Sequence, residues 1–168
     1  VLVNPFALVA EAKHLRTLLG HDPFDLLSIS KKALITTPFH VAANRLREMN
    51  RARLAGSPIH GSCGMGIGET TEYSLICPDA APRFEDSASG VLIDKLQQLR
   101  KYLRAELASV IDALRSTTHT PTVAAEINIL EDEDLCFDTA NLTERLFIRH
   151  TVSDESYLAD VTSKGNVI

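Results

Sequence analysis

The stretch that decides the fold reads H-G-S-C-G-M-G-I-G-E and spans residues 60–69. Four of the eight positions from Gly61 to Gly68 are glycine, and glycine lets backbone amides turn inward and approach a ligand closely. A nest of amides of this kind suits a phosphate group. The stretch lacks the Lys-Ser/Thr ending of a Walker loop, and its glycine spacing, with no helix pattern directly after it, does not match the dinucleotide-binding fingerprint. The residues alone therefore predict either an anion-binding loop or a surface turn without a ligand.

The residues before this glycine loop predict two helices with short strands between them. Asn4-Pro5 combines an N-cap residue with proline at the first helical position, so a helix is expected to begin there and to end at Gly20. Residues 26–29 and 33–36 have the composition of short strands. A second helix is predicted from about His40 to Leu54.

The residues around and after the loop predict more helix. Residues 57–89 show little periodicity and several breakers, which is typical of a long functional loop. Leucines recur at three- or four-residue intervals over residues 90–116, which predicts one long helix. Further helices are expected at residues 142–150 and 154–163, and the acidic run at residues 131–134 is expected to be a solvated surface segment rather than a metal site. The predicted fold class is α/β and mostly helical.

Composition excludes several classes of protein. The formal charge of −5 argues against a general nucleic-acid or anionic-membrane surface, and no apolar run approaches the roughly 20 residues of a membrane span. The three cysteines are far apart, which argues against a disulfide framework or a zinc site. We therefore expect a cytoplasmic protein. The abrupt first and last residues suggest a single internal segment, residues 1–168, of a longer polypeptide.

Four segments in a fixed order carry a family resemblance. Asn4-Pro5 through Glu11 and Leu15 match a helix of the form x-P-x-x-L-x-x-E-x-x-x-L, and Pro38-Phe39-His40 matches a P-Y-H triplet. Gly61, Gly64, Gly66, Ile67 and Gly68 match a loop G-T-T-G-R-G-I-G-P, and residues 165–168 are similar to the strand that enters an F-E-G-A-Q-G motif. Together these segments resemble the adenylosuccinate synthetase family from end to end.

The resemblance implies a P-loop-related fold and a purine-nucleotide ligase. Members of the family join inosine monophosphate (IMP) and aspartate to give adenylosuccinate for AMP biosynthesis, using GTP and magnesium, through a 6-phosphoryl intermediate in a homodimer. By resemblance, the G-D-E-G-K-G motif with the general base and the metal site would precede Val1. The aspartate-binding loop and the guanine-recognition motif would follow Ile168. This segment alone is therefore expected to be inactive and to bind neither cofactor, nucleic acid nor membrane.

The resemblance also assigns the contacts to the nucleotide phosphate. They fall on Gly61, Ser62, Cys63, Gly64, Gly66 and Gly68. Cys63 stands where the family has its second threonine, and Met65 replaces an arginine, so a hydroxyl and a cation are missing. The family's D-K-x-x-R stretch falls near Cys77 without a basic residue. The further candidates for contact with the phosphate are His60, Met65, Cys77 and Arg83.

These departures leave two alternatives open. The full-length protein could be a non-catalytic homologue that serves as a dimerisation or binding module, or a related ligase that uses another amino donor. Among single residues, we expect His40 to cap or pack a helix rather than to catalyse, and Cys63 to be buried and inert. Four arginines of the second helix either form a basic face beside the loop or simply keep the helix solvated, which is the preferred interpretation: Arg45, Arg47, Arg51 and Arg53.

Overall fold

The computed structural model describes residues 1–56, 61–117 and 120–152, together with 157 and 159. The described chain is mostly helical, with four strands of two residues each. In chain order the elements are β1 Leu2–Val3, α1 Pro5–Leu19, a 3-10 turn Pro23–Leu26, β2 Ile29–Ser30, β3 Leu34–Ile35, α2 Pro38–Ala55, α3 Ile67–Ile76, α4 Asp86–Ser89, α5 Leu92–Glu106, α6 Ala108–Thr117, α7 Pro121–Glu131, α8 Asp134–His150 and β4 Thr151–Val152.

The strands form two small parallel pairs. β1 pairs with β3, with Leu2 opposite Leu34, and β2 pairs with β4, with Ile29 opposite Thr151. Parallel pairing requires a crossover, which α1 supplies between β1 and β3. The predicted mostly helical α/β class is confirmed. No helix in the described part of the chain is both long and apolar enough to cross a membrane.

The first two helices begin and end where their capping residues predict. The Asn4 side chain accepts hydrogen bonds from the amides of Phe6 and Ala7, both at 3.1 Å, and Gly20 ends α1 in the left-handed conformation. Thr37 caps α2, which therefore begins at Pro38 rather than at His40. These cap interactions are local in sequence, so the residues themselves identify them.

The core lies around α2 and α5. α2 contacts α3, α5, α6 and α7, and its side chains Phe39 and Leu46 are fully buried. On α5 the leucines 96, 99 and 103 form one buried stripe, which packs against the same centre. The apolar residues of α5 were recognisable from their spacing. On α2 the spacing predicts that Leu46 is buried, but it does not predict the rest of the buried face, which includes Ala42, Ala43 and Asn44.

The prediction of a long loop over residues 57–89 is wrong. Residues 67–76 form α3 and residues 86–89 form α4. The buried side of α3 consists of Glu69, Thr70 and Tyr73, so two of its three buried side chains are polar. A helix that buries polar residues has no apolar stripe, and hydrophobic periodicity cannot detect it.

The single helix predicted over residues 90–116 is in fact two helices. The helix is interrupted at Leu107, between α5 and α6. The amide of Leu107 still donates to the carbonyl of Leu103 at 3.0 Å, and the amide of Ile111 donates to Leu107 at 2.8 Å. The break therefore keeps the spacing of buried residues nearly unchanged, which is why the sequence pattern does not reveal it.

The last third of the chain is more helical than predicted. α7 was not expected, although Thr120 caps it and Pro121 occupies its first turn. α8 begins at Asp134, eight residues before the predicted start at residue 142. The predicted helix over residues 154–163 and the strand-like residues 165–168 lie outside the described residues, apart from 157 and 159, which are helical.

Candidate functional site

The glycine loop runs along α2 and leads directly into α3. Its two halves have different surroundings, and we call residues 61–64 the first half and residues 65–69 the second half. His60 lies outside the described residues. The sequence prediction that no helix follows the loop is wrong, because α3 begins at Ile67, inside the second half.

In the first half, the chain satisfies its own hydrogen-bond donors. The amide of Ser62 donates to Glu48 Oε1 at 2.6 Å, and the Ser62 hydroxyl donates to Asn44 Oδ1 at 2.9 Å. The amide of Gly64 in turn donates to Ser62 Oγ at 3.1 Å. These are donors that the predicted phosphate contacts would have used. Side chains of α2 therefore hold the first half in place and occupy part of its nest.

Gly61 lies against the same carboxylate in the first half. A Cβ atom on Gly61 would lie 2.7 Å from Glu48 Oε1, which is closer than such atoms approach. The obstacle is the end of a flexible side chain, so Glu48 could move aside. Gly64 has a positive φ of +67°, and a Cβ there would lie 3.7 Å from Arg45 Nε, an ordinary contact.

The second half packs against backbone rather than side chains. Gly66 has a φ of +73°, and a Cβ atom there would lie 2.7 Å from both the carbonyl carbon of His40 and the amide nitrogen of Val41. The start of α2 therefore lies directly against Gly66. Only glycine fits, because the backbone of a helical turn cannot move aside.

The second half also forms the N-terminus of α3. Gly66 is the N-cap, no side chain caps the helix, and the carbonyl of Gly66 accepts the amide of Thr70 at 3.0 Å. The first amides of an α-helix have no partner inside the helix and carry the positive end of its dipole. The amides of Ile67, Gly68 and Glu69 therefore form a potential anion-binding group.

A neutral histidine, His40, lies at the start of α2, where its backbone packs against Gly66 of the second half. The amide of Thr37 donates to His40 Nδ1 at 3.1 Å, and the amide of His40 donates to Thr37 Oγ1 at 3.3 Å. Burial lowers the pKa of His40 from 6.5 to about 3, because the interior disfavours the charged ring. Among the described residues, its Nε2 has no hydrogen-bond partner. The prediction that His40 caps and packs α2 is confirmed.

The arginines of α2 mostly lie beside the loop and α3. Arg45 lies beside Gly64 and pairs with Glu126, while Arg51 Nη2 lies 3.7 Å from Glu48 Oε1. Arg47 pairs with Glu69 and, at 2.9 Å, with Glu72. Arg53, in contrast, binds Asn50 on its own helix, through Nη2 at 2.8 Å. The preferred interpretation, a merely solvated face, is therefore wrong for Arg45 and Arg47, which pair with carboxylates of other helices, whereas the exposed Arg51 pairs within α2.

Glu69 ties the second half to α2. Its carboxylate is buried and accepts a hydrogen bond from Arg47 Nη1. Burial raises the pKa of Glu69 above its usual range, since desolvation outweighs the opposing effect of Arg47. This ion pair joins the first turn of α3 to the middle of α2 and so holds the anion-binding amides in position.

Several predicted contacts do not reach the loop. Cys77 ends α3, about 15 Å of helix away from Gly66 at 1.5 Å per residue. Arg83 Nη1 donates to the carbonyl of Lys32 at 2.9 Å, so this side chain is held near the β3 strand instead. Cys63 is exposed, which contradicts the expectation that it is buried, and Met65 is 42% exposed. Both departures from the family loop therefore face the surface.

The acidic run at residues 131–134 is exposed, as predicted, and is paired with arginines. Arg100 binds Glu133 and donates to the carbonyl of Glu131 at 3.0 Å, and Arg115 binds Glu131 at 2.8 Å. These contacts link α5 and α6 to the turn between α7 and α8. No group of three or more His, Cys, Asp or Glu side chains within the described ranges is arranged to hold a metal ion.

Sequence reasoning missed the side chains that hold the first half. Asn44, Glu48 and Arg51 recur at intervals of four and three residues, so they share one face of α2. A polar stripe on a helix that directly precedes a glycine loop was the available signal. No sequence pattern indicates the role of Glu126, because it accepts a hydrogen bond from Arg45, which lies 81 positions earlier in the sequence.

Comparison with known proteins completes this description. The sequence model of one protein family, described as adenylosuccinate synthetase, matches residues 1–166. No curated protein matches the chain significantly. The family match covers nearly the whole chain, including the glycine loop and the helices on either side of it.

Proposed function

This chain belongs to the adenylosuccinate synthetase family, and from that premise we propose that the full-length protein joins IMP and aspartate in a GTP-dependent reaction. The family supports a purine-nucleotide ligase of purine biosynthesis. Adenylosuccinate is the proposed product, and residues 1–168 are proposed to be an internal segment of a P-loop-related homodimer. The role proposed for this segment is to bind the 5′-phosphate of the nucleotide.

The start of α3 at Gly66 is the observation that carries this proposal. Its first amides have no partner inside the helix and no side-chain cap, and they carry a positive partial charge. A phosphate group is the ligand that such a helix end binds best. We therefore propose the amides of residues 65–69 as the direct contacts, including those of Gly66 and Gly68.

The first half of the loop has a supporting role in this proposal. The amides of Ser62 and Gly64 already have acceptors within the chain, and Gly61 lies against Glu48. The exposed Cys63 adjoins the proposed phosphate but supplies only a weak donor. Ser62 thus sets the course of the backbone that leads to Gly66, rather than contacting the phosphate through its hydroxyl.

The family implies GTP and magnesium for full-length enzymes. Among the residues that the structure describes, no three His, Cys, Asp or Glu side chains are grouped to hold a metal ion. We therefore assign no step of GTP chemistry to this segment. Its proposed contribution is to bind and orient the nucleotide through the α3 amides.

The altered loop favours a second candidate. With Cys63 and Met65 in place of a hydroxyl and a cation, and with the Ser62 hydroxyl bound to Asn44, the phosphate site has fewer donors than the family loop suggests. The second candidate is a homologue that keeps nucleotide binding without catalysis, or a ligase with another amino donor.

Turnover and binding assays on the full-length protein test both candidates. With GTP, magnesium, IMP and aspartate, we expect formation of adenylosuccinate, followed by its absorbance, and calorimetry is expected to show that IMP binds more tightly than inosine. IMP binding without turnover on aspartate would favour the second candidate. Equal affinity for IMP and inosine would contradict a phosphate site at this loop.

A further inference from the structure

A phosphate monoester carries up to two negative charges, and the loop itself offers no cationic side chain. Residues 61–69 contain neither lysine nor arginine. Backbone amides alone can bind a phosphate, but charge-assisted hydrogen bonds are about twice as strong as neutral ones. A cation from a neighbouring element would therefore strengthen the site substantially. α2 is the element that supplies arginines to this surface.

Arg45 is the arginine of α2 that lies beside Gly64, the last residue of the first half. Its Nε atom is 3.7 Å, and its Cγ atom 3.9 Å, from the position that a Cβ on Gly64 would take. Its side chain is 45% exposed, so a ligand can approach it. Gly64 precedes the Gly66 N-cap of α3 by two residues, which brings Arg45 close to the proposed phosphate contacts.

A buried carboxylate on α7 holds the other end of Arg45. Nη1 donates to Glu126 Oε1 at 2.9 Å, and only 7% of the Glu126 side chain is exposed. No acceptor lies within hydrogen-bond distance of Arg45 Nε or Nη2 in the described part of the chain. These two nitrogens form the edge of the guanidinium that binds two oxygens of a phosphate at once.

The other arginines of α2 are less suited to this role. Arg47 is shared between Glu69 and Glu72, which neutralise its charge. Arg51 lies beside the Glu48 carboxylate, and Arg53 donates two hydrogen bonds to Asn50. Arg45 thus combines position beside the loop, exposure and free donors.

We propose that Arg45 binds the phosphate of the nucleotide, in place of the cation that Met65 cannot supply, and that Glu126 orients its guanidinium. This inference rests on the proposed function, since it assumes that a nucleotide phosphate binds at the second half of the loop. It adds a specificity-determining residue, Arg45 of α2, and a positioning residue, Glu126 of α7. Glu126 follows the loop by about 60 positions of sequence.

Calorimetry on the full-length protein with two probes, IMP and inosine, tests the inference. Arg45→Gln is expected to weaken IMP binding at least tenfold, the loss of one charge-assisted contact, and to leave inosine binding unchanged. The IMP affinity of Arg45→Lys is expected to lie between those of the wild type and Arg45→Gln, because lysine keeps the charge but lacks the planar guanidinium. Arg53→Gln is the matched control: it removes the same charge from the same helix and should change neither affinity.

A double variant separates phosphate binding from support of the fold. Arg45→Gln leaves the Glu126 carboxylate buried without its cation, and Glu126→Gln in the same chain removes that carboxylate. We expect the double variant to bind IMP as weakly as Arg45→Gln does. Recovery of wild-type IMP affinity in the double variant would mean that Arg45 only neutralises Glu126, and would overturn the inference.

The remaining outcomes distinguish this inference from the proposed function. If the wild type prefers IMP to inosine and Arg45→Gln keeps that preference, the loop binds phosphate without Arg45, and only the inference fails. If the wild type binds IMP no more tightly than inosine, the phosphate site itself is refuted, and the inference is refuted with it.

Discussion

The two halves of the glycine loop use glycine for different physical reasons. In the first half, Gly61 makes room for the flexible end of Glu48, and hydrogen bonds from Ser62 fix the backbone. In the second half, Gly66 makes room for the backbone of α2 itself, at 2.7 Å from two backbone atoms. A side chain can move and a helix cannot. In the second half, substitution of Gly66 should therefore destabilise the fold strongly, whereas other positions there should tolerate substitution. In the first half, each substitution should cause only a modest loss of stability.

The largest expected effect comes from Gly66→Ala. An alanine there would be strained by the positive φ and would overlap the start of α2, so we expect a loss of about 3 kcal/mol or more in the free energy of unfolding. Urea denaturation measures this loss. A change below about 1 kcal/mol would mean that the loop moves freely away from α2, and the comparison of the two halves would fail.

The next largest effect concerns the charge state of His40 beneath the second half. Its folded pKa of about 3 lies below 6.5, so the unfolded chain binds the proton more strongly, and stability falls as pH falls from 6.5 towards 3. His40→Gln removes this titration and keeps a capping-box residue at the third helical position. The variant should gain stability relative to the wild type by up to about 1.4 kcal/mol per pH unit on acidification.

Denaturation of both chains at several pH values checks this expectation. The raised pKa of Glu69 acts in the opposite sense, because a carboxyl whose pKa is higher in the folded chain makes the fold less stable as pH rises. Glu69 is present in both chains, so its effect cancels in the difference to first order. A pH-independent difference between the two chains would show that the pKa of His40 is the same in the folded and unfolded chains, and would contradict this expectation.

A smaller effect is expected for Ser62→Ala in the first half. This change removes the hydroxyl that donates to Asn44 and accepts the amide of Gly64, for a cost of about 1 kcal/mol. IMP affinity should change less than it does for Arg45→Gln, because the hydroxyl is not a proposed contact. A tenfold loss of IMP affinity without loss of stability would instead make Ser62 a direct phosphate ligand.

The smallest effect is expected for Gly68→Ala. Its Cβ would meet nothing within 4 Å, and its φ is not positive. Alanine favours the helix over glycine by up to about 1 kcal/mol, so the variant should be as stable as the wild type or slightly more so. It is the matched control for Gly66→Ala, two residues away in the same half. A large destabilisation would show that the second half is tightly packed throughout.

Local patterns predicted both ends of α1 and the buried leucines of α5, because caps and periodicity depend on neighbours in sequence. Asn4, Gly20 and the leucines of α5 behaved as their positions indicate. The same patterns missed α3, whose buried side carries Glu69 and Thr70. Those polar side chains are buried because Arg47 and Thr36 meet them, and both lie on segments more than 20 residues earlier. A pattern within one segment cannot contain that information.

The sequence by itself determined the family and the composition of the loop: four glycines in order, without a cation or a second threonine. Only the tertiary structure decided which amides remain available. Glu48 and Asn44 accept hydrogen bonds from Ser62 in the first half, the second half forms the N-terminus of α3, and Glu126 pairs with Arg45, which lies beside Gly64. The physical reason is that a hydrogen-bond donor can be satisfied by any acceptor that the fold brings within about 3 Å, and distance along the chain does not limit which one it is.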